Sequence, residues 1–194
     1  FAQMPSLLLQ QATIVHGPVT RAEERTVDVL VVDGRIDTID EHIVAGPDTA
    51  TVDLAGHVLL PAAVEPHAHL DKAFLAERLP NRTGDLLGAI DAMVAGADTI
   101  DRTDVVERAD RALRLMARNG YVAVRTHVDV TTYTGLRNAE ALIEVRRRLA
   151  GVVDLEIVAL AGNPVVGASG AEQRTLLYGA LDLGVDLVGG CPHL

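Results

Sequence analysis

Two histidines separated by a single residue, His67 and His69, are the side chains in this sequence best placed to do chemistry. In an extended segment residues i and i+2 project to the same side, so the two imidazoles converge on one point and can hold one metal ion. Neutral imidazoles suit zinc or ferrous iron. The same spacing recurs in Arg125-Thr126-His127-Val128-Asp129, where His127 and Asp129 face one way. Either both act on a substrate, directly or from behind a ligand, or Asp129 serves only to orient His127 or a neighbouring ligand. Asn163, in Leu160-Ala161-Gly162-Asn163-Pro164, offers an amide. His193, in Gly189-Gly190-Cys191-Pro192-His193, offers another imidazole and reads as pocket lining rather than a ligand. Asp71 and Lys72 follow the histidine pair directly and read as an ion pair or a solvated loop. Cys191 has no base beside it in sequence and reads as a small buried hydrophobe. His16, His42 and His57 read as surface or turn residues.

These side chains share a position in a repeating pattern. From about residue 60 the sequence predicts a strand over 57–64 and helices over 84–97 and 103–119. It then predicts strand 121–130, helix 136–150, strand 153–160, helix 171–183 and strand 185–190. Thr103 is the expected N-cap of the second helix and Asn119-Gly120 its stop. The strands are nearly continuous in apolar residues, as in Leu155-Glu156-Ile157-Val158-Ala159-Leu160, which marks parallel strands covered on both faces. Strand, helix, strand repeated in this way is an α/β fold with a parallel sheet, because parallel neighbours need a long crossover. The candidate residues all fall at carboxyl ends of strands, where ligands gather in such sheets. Residues 1–60 are β-rich instead, and Asp33-Gly34 between Val31-Val32 and Arg35-Ile36 predicts a type I′ hairpin. The expected division is therefore a small β-subdomain over 1–60 and four β/α units over 61–194.

Composition excludes several classes. The 194 residues carry 17 basic and 27 acidic side chains, a net charge of -10, and no basic cluster, which argues against a nucleic-acid partner. Arg146-Arg147-Arg148 lies near Glu140 and Glu144 and reads as a solvated helix face. No apolar run reaches the roughly 18 residues that would span a bilayer. With one cysteine there is no disulfide framework, and a cytoplasmic location is expected. The same count excludes the zinc deaminases that need H-x-E followed by P-C-x-x-C, and phosphate-loop and dinucleotide fingerprints are absent. Of the seventeen basic residues only Lys72 is a lysine.

The stretch Gly56-His57-Val58-Leu59-Leu60-Pro61 leading into Glu65-Pro66-His67-Ala68-His69-Leu70-Asp71-Lys72 resembles the metal-binding opening of the amidohydrolase superfamily. The likeness is closest to its cytosine-deaminase-like branch. It continues through Thr83-Gly84-Asp85-Leu86-Leu87, Val124 to Val130, Asp154 to Ala159 and Val188 to His193. The resemblance implies a (β/α)8 TIM barrel, of which this sequence supplies the first half, beside a small amino-terminal β-sandwich. It implies one divalent metal ion, zinc or iron, with His67 and His69 as ligands. It also implies that the ion activates a water for attack on an sp2 carbon while a carboxylate from a later strand moves the proton. Leu86 matches a pocket-lining position in similar enzymes. Where cytosine deaminases tend to carry a glutamine after the third strand, Asn163 stands one position later. The expected reaction is hydrolysis of a non-peptide C–N bond in a small heterocycle, most simply deamination of a cytosine-like pyrimidine or a triazine. The alternatives are a cyclic amidase of the same fold and a non-catalytic half-barrel. Such a half-barrel would assemble with the remainder of the barrel, with a partner chain, or as a homo-oligomer. The remaining family ligands and the acid/base residues belong to strands beyond the fourth.

Overall fold

Asp33 and Gly34 both take positive φ, 50° and 74°, the geometry of a type I′ turn whose twist matches the strands it joins. In the computed structural model, which describes residues 6–191, that turn links β2 (Glu23–Val32) to β3 (Arg35–Asp40). The chain divides into two units, residues 1–61 and 62–194.

The first unit is a mixed sheet of five strands. β1 (Leu7–His16) lies in its middle, antiparallel to β2 on one side. On its other side β1 runs parallel to β4 (Ala50–Asp53) and to β5 (Val58–Leu59). Leu8, Ala12, Val27 and Val29 are its buried apolar residues. The β1/β2 register shifts between Leu9 and Ala12, where Gln11 sits at φ 56°. Its N–H, lost to the ladder there, donates to Oδ1 of the buried Asp28 at 2.9 Å, and the Ile43 N–H donates to Oδ2 at 2.9 Å. Those bonds, first from Ile43 and then from Gln11, hold the Asp28 carboxyl below its ordinary pKa. A lowered folded pKa adds stability above the unfolded carboxylate value, and that stability is lost as pH falls through the folded value. Asp28→Ala is therefore expected to lower the urea midpoint of this unit at pH 7, and to shrink the loss that the unmutated protein shows between pH 5 and pH 3.

The run 57–64, expected as one strand, is two. Val58–Leu59 pairs with β1, and a new strand begins at Ala63 in the other sheet. Pro61 stands between them; it has no N–H to give a ladder, so the pairing ends there.

The second unit is a parallel sheet in sequence order, β6 (Ala63–Ala68), β7 (Tyr121–Val130), β8 (Asp154–Ala161) and β9 (Leu187–Gly190). The connections hold α1 (Leu86–Ala95), α2 (Arg102–Arg118), α3 (Arg137–Arg148) and α4 (Ala171–Leu183). α2 buries Val105, Val106, Ala109, Ala112 and Leu113, and α3 buries Ala139, Leu142, Ile143 and Val145. They pack with Val124, Val128, Val130, Ile157 and Ala159 of the sheet in one apolar core. Each fully buried aliphatic side chain of this kind contributes about 1.5–3 kcal/mol. In β7 the residues that alternate with this buried set, Arg125, His127 and Asp129, point to the other face. The N-cap of α2 is Asp101 rather than Thr103: its carboxylate accepts the Asp104 N–H at 2.8 Å. Among the described residues no helix is long and apolar enough to cross a membrane.

Candidate metal centre and adjoining pocket

β6 ends on Pro66-His67-Ala68, and the chain then bends into a short 3-10 turn, Leu70–Lys72. The Leu70 N–H donates to the buried Thr126 hydroxyl on β7 at 3.0 Å, which ties the turn to the neighbouring strand. Glu65 takes the His67 N–H at 2.9 Å. These bonds bring His67 Nε2 to 3.3 Å from His69 Nε2. His127, from the next strand, places its ring 4.3 Å from that of His67 and 5.6 Å from that of His69. One ring nitrogen from each of the three lies within 4.8 Å of the others. His69 Nδ1 and His127 Nδ1 are buried and have no hydrogen-bond partner. Burial, and then the nearby Lys72 charge, pushes the His69 pKa below its ordinary value. Burial, and then His67, does the same to His127. Both rings are therefore held neutral near pH 7, with lone pairs available to a cation.

Beside the imidazoles lies a cluster of charged side chains. Asp71 is almost fully buried, and its Oδ2 accepts the Asp129 N–H at 3.1 Å. Lys72 Nζ lies 3.1 Å from Asp71 Oδ2 and 2.8 Å from Asp129 Oδ1. The ion pair expected of Asp71 and Lys72 is thus a triad that includes Asp129, and it fastens the turn after β6 to the end of β7.

A cavity of about 540 Å³ opens onto this triad. His69, Lys72 and Asp129 form its polar side, Leu86, Ala89, Ile90 and Met93 of α1 its apolar side, and Tyr133, Asn163 and Cys191 line it as well. Of the residues singled out in the sequence, Leu86, Asp129 and Asn163 therefore meet in one cavity with His69, and His127 joins the imidazole cluster. His193 lies outside the described residues. Cys191, directly after the last residue of β9, is partly exposed at the cavity wall rather than buried. Lys72, Tyr133 and the α1 residues beyond Leu86 were not anticipated. For Lys72 a signal existed: it is the sole lysine and falls three residues after His69.

No protein-family model matches the chain. It is 27% identical over 182 residues to the N-isopropylammelide isopropyl amidohydrolase of a Pseudomonas species, covering 91% of this chain and 44% of that protein. It is 31% identical over 134 residues to a pterin deaminase of Rhizobium rhizogenes, covering 69% of this chain and 31% of that one. Its structure matches 5-methylcytosine deaminase from Klebsiella pneumoniae, crystallised with 5-fluorocytosine, with a TM-score of 0.77 and 31% identity. That match covers 96% of this chain and 43% of the other. The chain belongs to the amidohydrolase superfamily. It spans less than half the length of these amidohydrolase relatives. In amidohydrolase terms the sheet β6 to β9 is half of a TIM barrel, and the amino-terminal sheet is a separate subdomain.

Proposed function

We propose that this chain carries the metal-binding half of a hydrolase that cleaves a non-peptide C–N bond of a nitrogen heterocycle. The ring is cytosine-like, pterin-like or triazine-like, and the cofactor is one divalent ion, zinc or iron. The observation that carries the reading is the meeting of His67, His69 and His127 at the carboxyl ends of two neighbouring strands, beside a largely apolar cavity. The donor set fits a borderline metal: the three imidazoles each bring a ring nitrogen within 4.8 Å of the others, and two of the rings are held neutral. His67 and His69 would hold the ion through Nε2, with His127 as the third imidazole against it. Such an ion, when bound, lowers the pKa of water to near 7.

The chain's own residues do the rest of what this half can do. Lys72 holds a proton at Nζ facing the cavity, Asp129 offers a carboxylate to an amino group, and Asn163 offers an amide to a ring edge. Leu86, Ile90 and Met93 present an apolar wall on one side, opposite the polar groups. The names of the relatives support the substrate class, since ammelide, pterin and methylcytosine are all nitrogen heterocycles. The proton-moving carboxylate belongs to the half of the barrel that this chain does not span.

The test is metal analysis of the folded protein with its complete barrel, joined to ammonia release from cytosine, 5-methylcytosine, pterin and ammelide. Stoichiometric zinc or iron with ammonia release supports the reading. Ring opening without ammonia moves it to a cyclic amidase, and a folded protein that takes up no metal on reconstitution overturns it.

A further inference from the structure

The turn that carries Lys72 is held by a residue on another element. Arg108 of α2 is 11% exposed in its side chain. Its Nη1 donates to two main-chain carbonyls, Asp71 O at 2.9 Å and Ala73 O at 2.7 Å. These carbonyls flank Lys72 on either side. The other edge of the guanidinium is occupied by Asp104: Nε and Nη2 donate to Asp104 Oδ2 at 3.0 and 2.8 Å. Arg78 Nη2 reaches the same oxygen at 2.6 Å, so the carboxylate is fixed from two sides. Four of the five donors of Arg108 are thereby used, in the planar fork that only arginine has. The next turn of α2 adds a contact: the Arg111 guanidinium lies 3.9 Å over the ring of Phe74, a residue held at φ 60° in the left-handed region. A non-glycine residue stays there only where its surroundings over-determine it.

We propose that Arg108 is a positioning residue for the pocket: by clamping the carbonyls on both sides of Lys72, it sets where the ammonium stands between Asp71 and Asp129. The Asp104 carboxylate orients the clamp. Lysine at 108 would keep the charge but not the fork, so it does not substitute. The consequence for turnover rests on the hydrolase reading above; the placement of Lys72 does not.

Because Lys72 is the only lysine, protein grown with [13Cε]lysine gives one side-chain methylene to observe by NMR, with no chemical modification. The folded protein is expected to show two separated Hε resonances, as a fixed side chain does. Arg108→Gln loses that separation, while the circular dichroism of the protein is retained. Asp104→Asn, which leaves Arg108 in place without its orienting carboxylate, reduces the separation in the same direction. Arg114→Gln is the control: it removes the other i,i+4 ion pair of α2, with Asp110, and leaves the Lys72 signals where they are. The proposal is overturned by unchanged Hε resonances in folded Arg108→Gln or, if that variant does not fold, in Asp104→Asn. It is equally overturned if Arg114→Gln moves them as far. Metal content is measured on the same samples: protein without metal refutes the hydrolase reading and leaves the placement result standing.

Discussion

His69→Ala is expected to lower the affinity for zinc by at least about 100-fold, since loss of a mere outer partner of a ligand already costs about 10–100-fold. The larger loss follows from the geometry. His69 stands between the two parts of the site, its Nε2 3.3 Å from that of His67 and its ring in the wall of the cavity. Its removal leaves His67, the exposed member of the cluster, with only His127 across the strand boundary. His127→Ala leaves the His67/His69 pair intact and is expected to cost less, about 10-fold. Competition with a chelator measures both. A second readout needs no activity: a ligand at 100 times its Kd stabilises the folded state by about 2.7 kcal/mol, so the rise in Tm on adding zinc should vanish in His69→Ala. The pH dependence has a defined sign. Because burial lowers the pKa of His69 and His127, protons compete for these nitrogens only below the ordinary histidine range. Zinc should therefore stay bound to a lower pH than a pair of exposed histidines would allow. In the metal-free protein the same lowering adds stability above the unfolded histidine pKa, and that stability is lost as pH falls through the folded values. Zinc binding unchanged in His69→Ala would remove the basis of the proposed centre.

Where local chemistry decides, the sequence was readable. The apolar run beginning at Tyr121 is a strand over the predicted residues, and the helix predicted over 171–183 is α4, because each carries its pattern within itself. The Asp33-Gly34 turn follows from two residues that tolerate positive φ. What escaped depends on contacts across the fold. Thr103 is as good a cap residue as Asp101, and only the actual start of the helix separates them. Pro61 is itself a signal for the break within His57 to Val64, but both pieces are strands, and which sheet each one joins depends on contacts across the fold.

The site divides along the same line. The i, i+2 histidines announce their own convergence, whereas the arrival of His127 beside them depends on the register between β6 and β7. The triad is harder still. In Asp71-Lys72 the sequence offers adjacent opposite charges, which are usually solvated. Only the Asp129 N–H and carboxylate from the next strand make the pair a buried junction. α1 is a further case: Leu86 carried a resemblance to a pocket-lining position, whereas Ile90 and Met93 carried no signal of their own, yet no residue of α1 is buried and all three border the cavity.

Lys72→Met is expected to cost about 3 kcal/mol of stability, at the lower end of what removing one partner from a buried ion pair costs. The methylene stem is kept, so lost packing contributes little, and the effect comes from the carboxylates left behind. Asp71 is 1% exposed in its side chain and Asp129 13%, against 25% for Lys72. Without the ammonium, Asp71 keeps only the Asp129 N–H as a partner at that end, and its buried carboxylate faces that of Asp129 with no cation between them. If the uncompensated charge is the cause, Lys72→Met combined with Asp129→Asn recovers part of the loss, and the two changes are not additive. The alkaline limb gives an independent sign. Burial on its own lowers the Lys72 pKa, but the charges of Asp71 and Asp129 outweigh it, so the ammonium titrates above its ordinary value. A base with a raised folded pKa adds stability that is fully present below its unfolded value, about 10.4, and lost as pH rises through the folded one. Urea midpoints of the unmutated protein should therefore fall between pH 9 and pH 11.5. Those of Lys72→Met should start lower and lack that component, and equal midpoints for the two proteins at pH 8 would show that the triad contributes no stability.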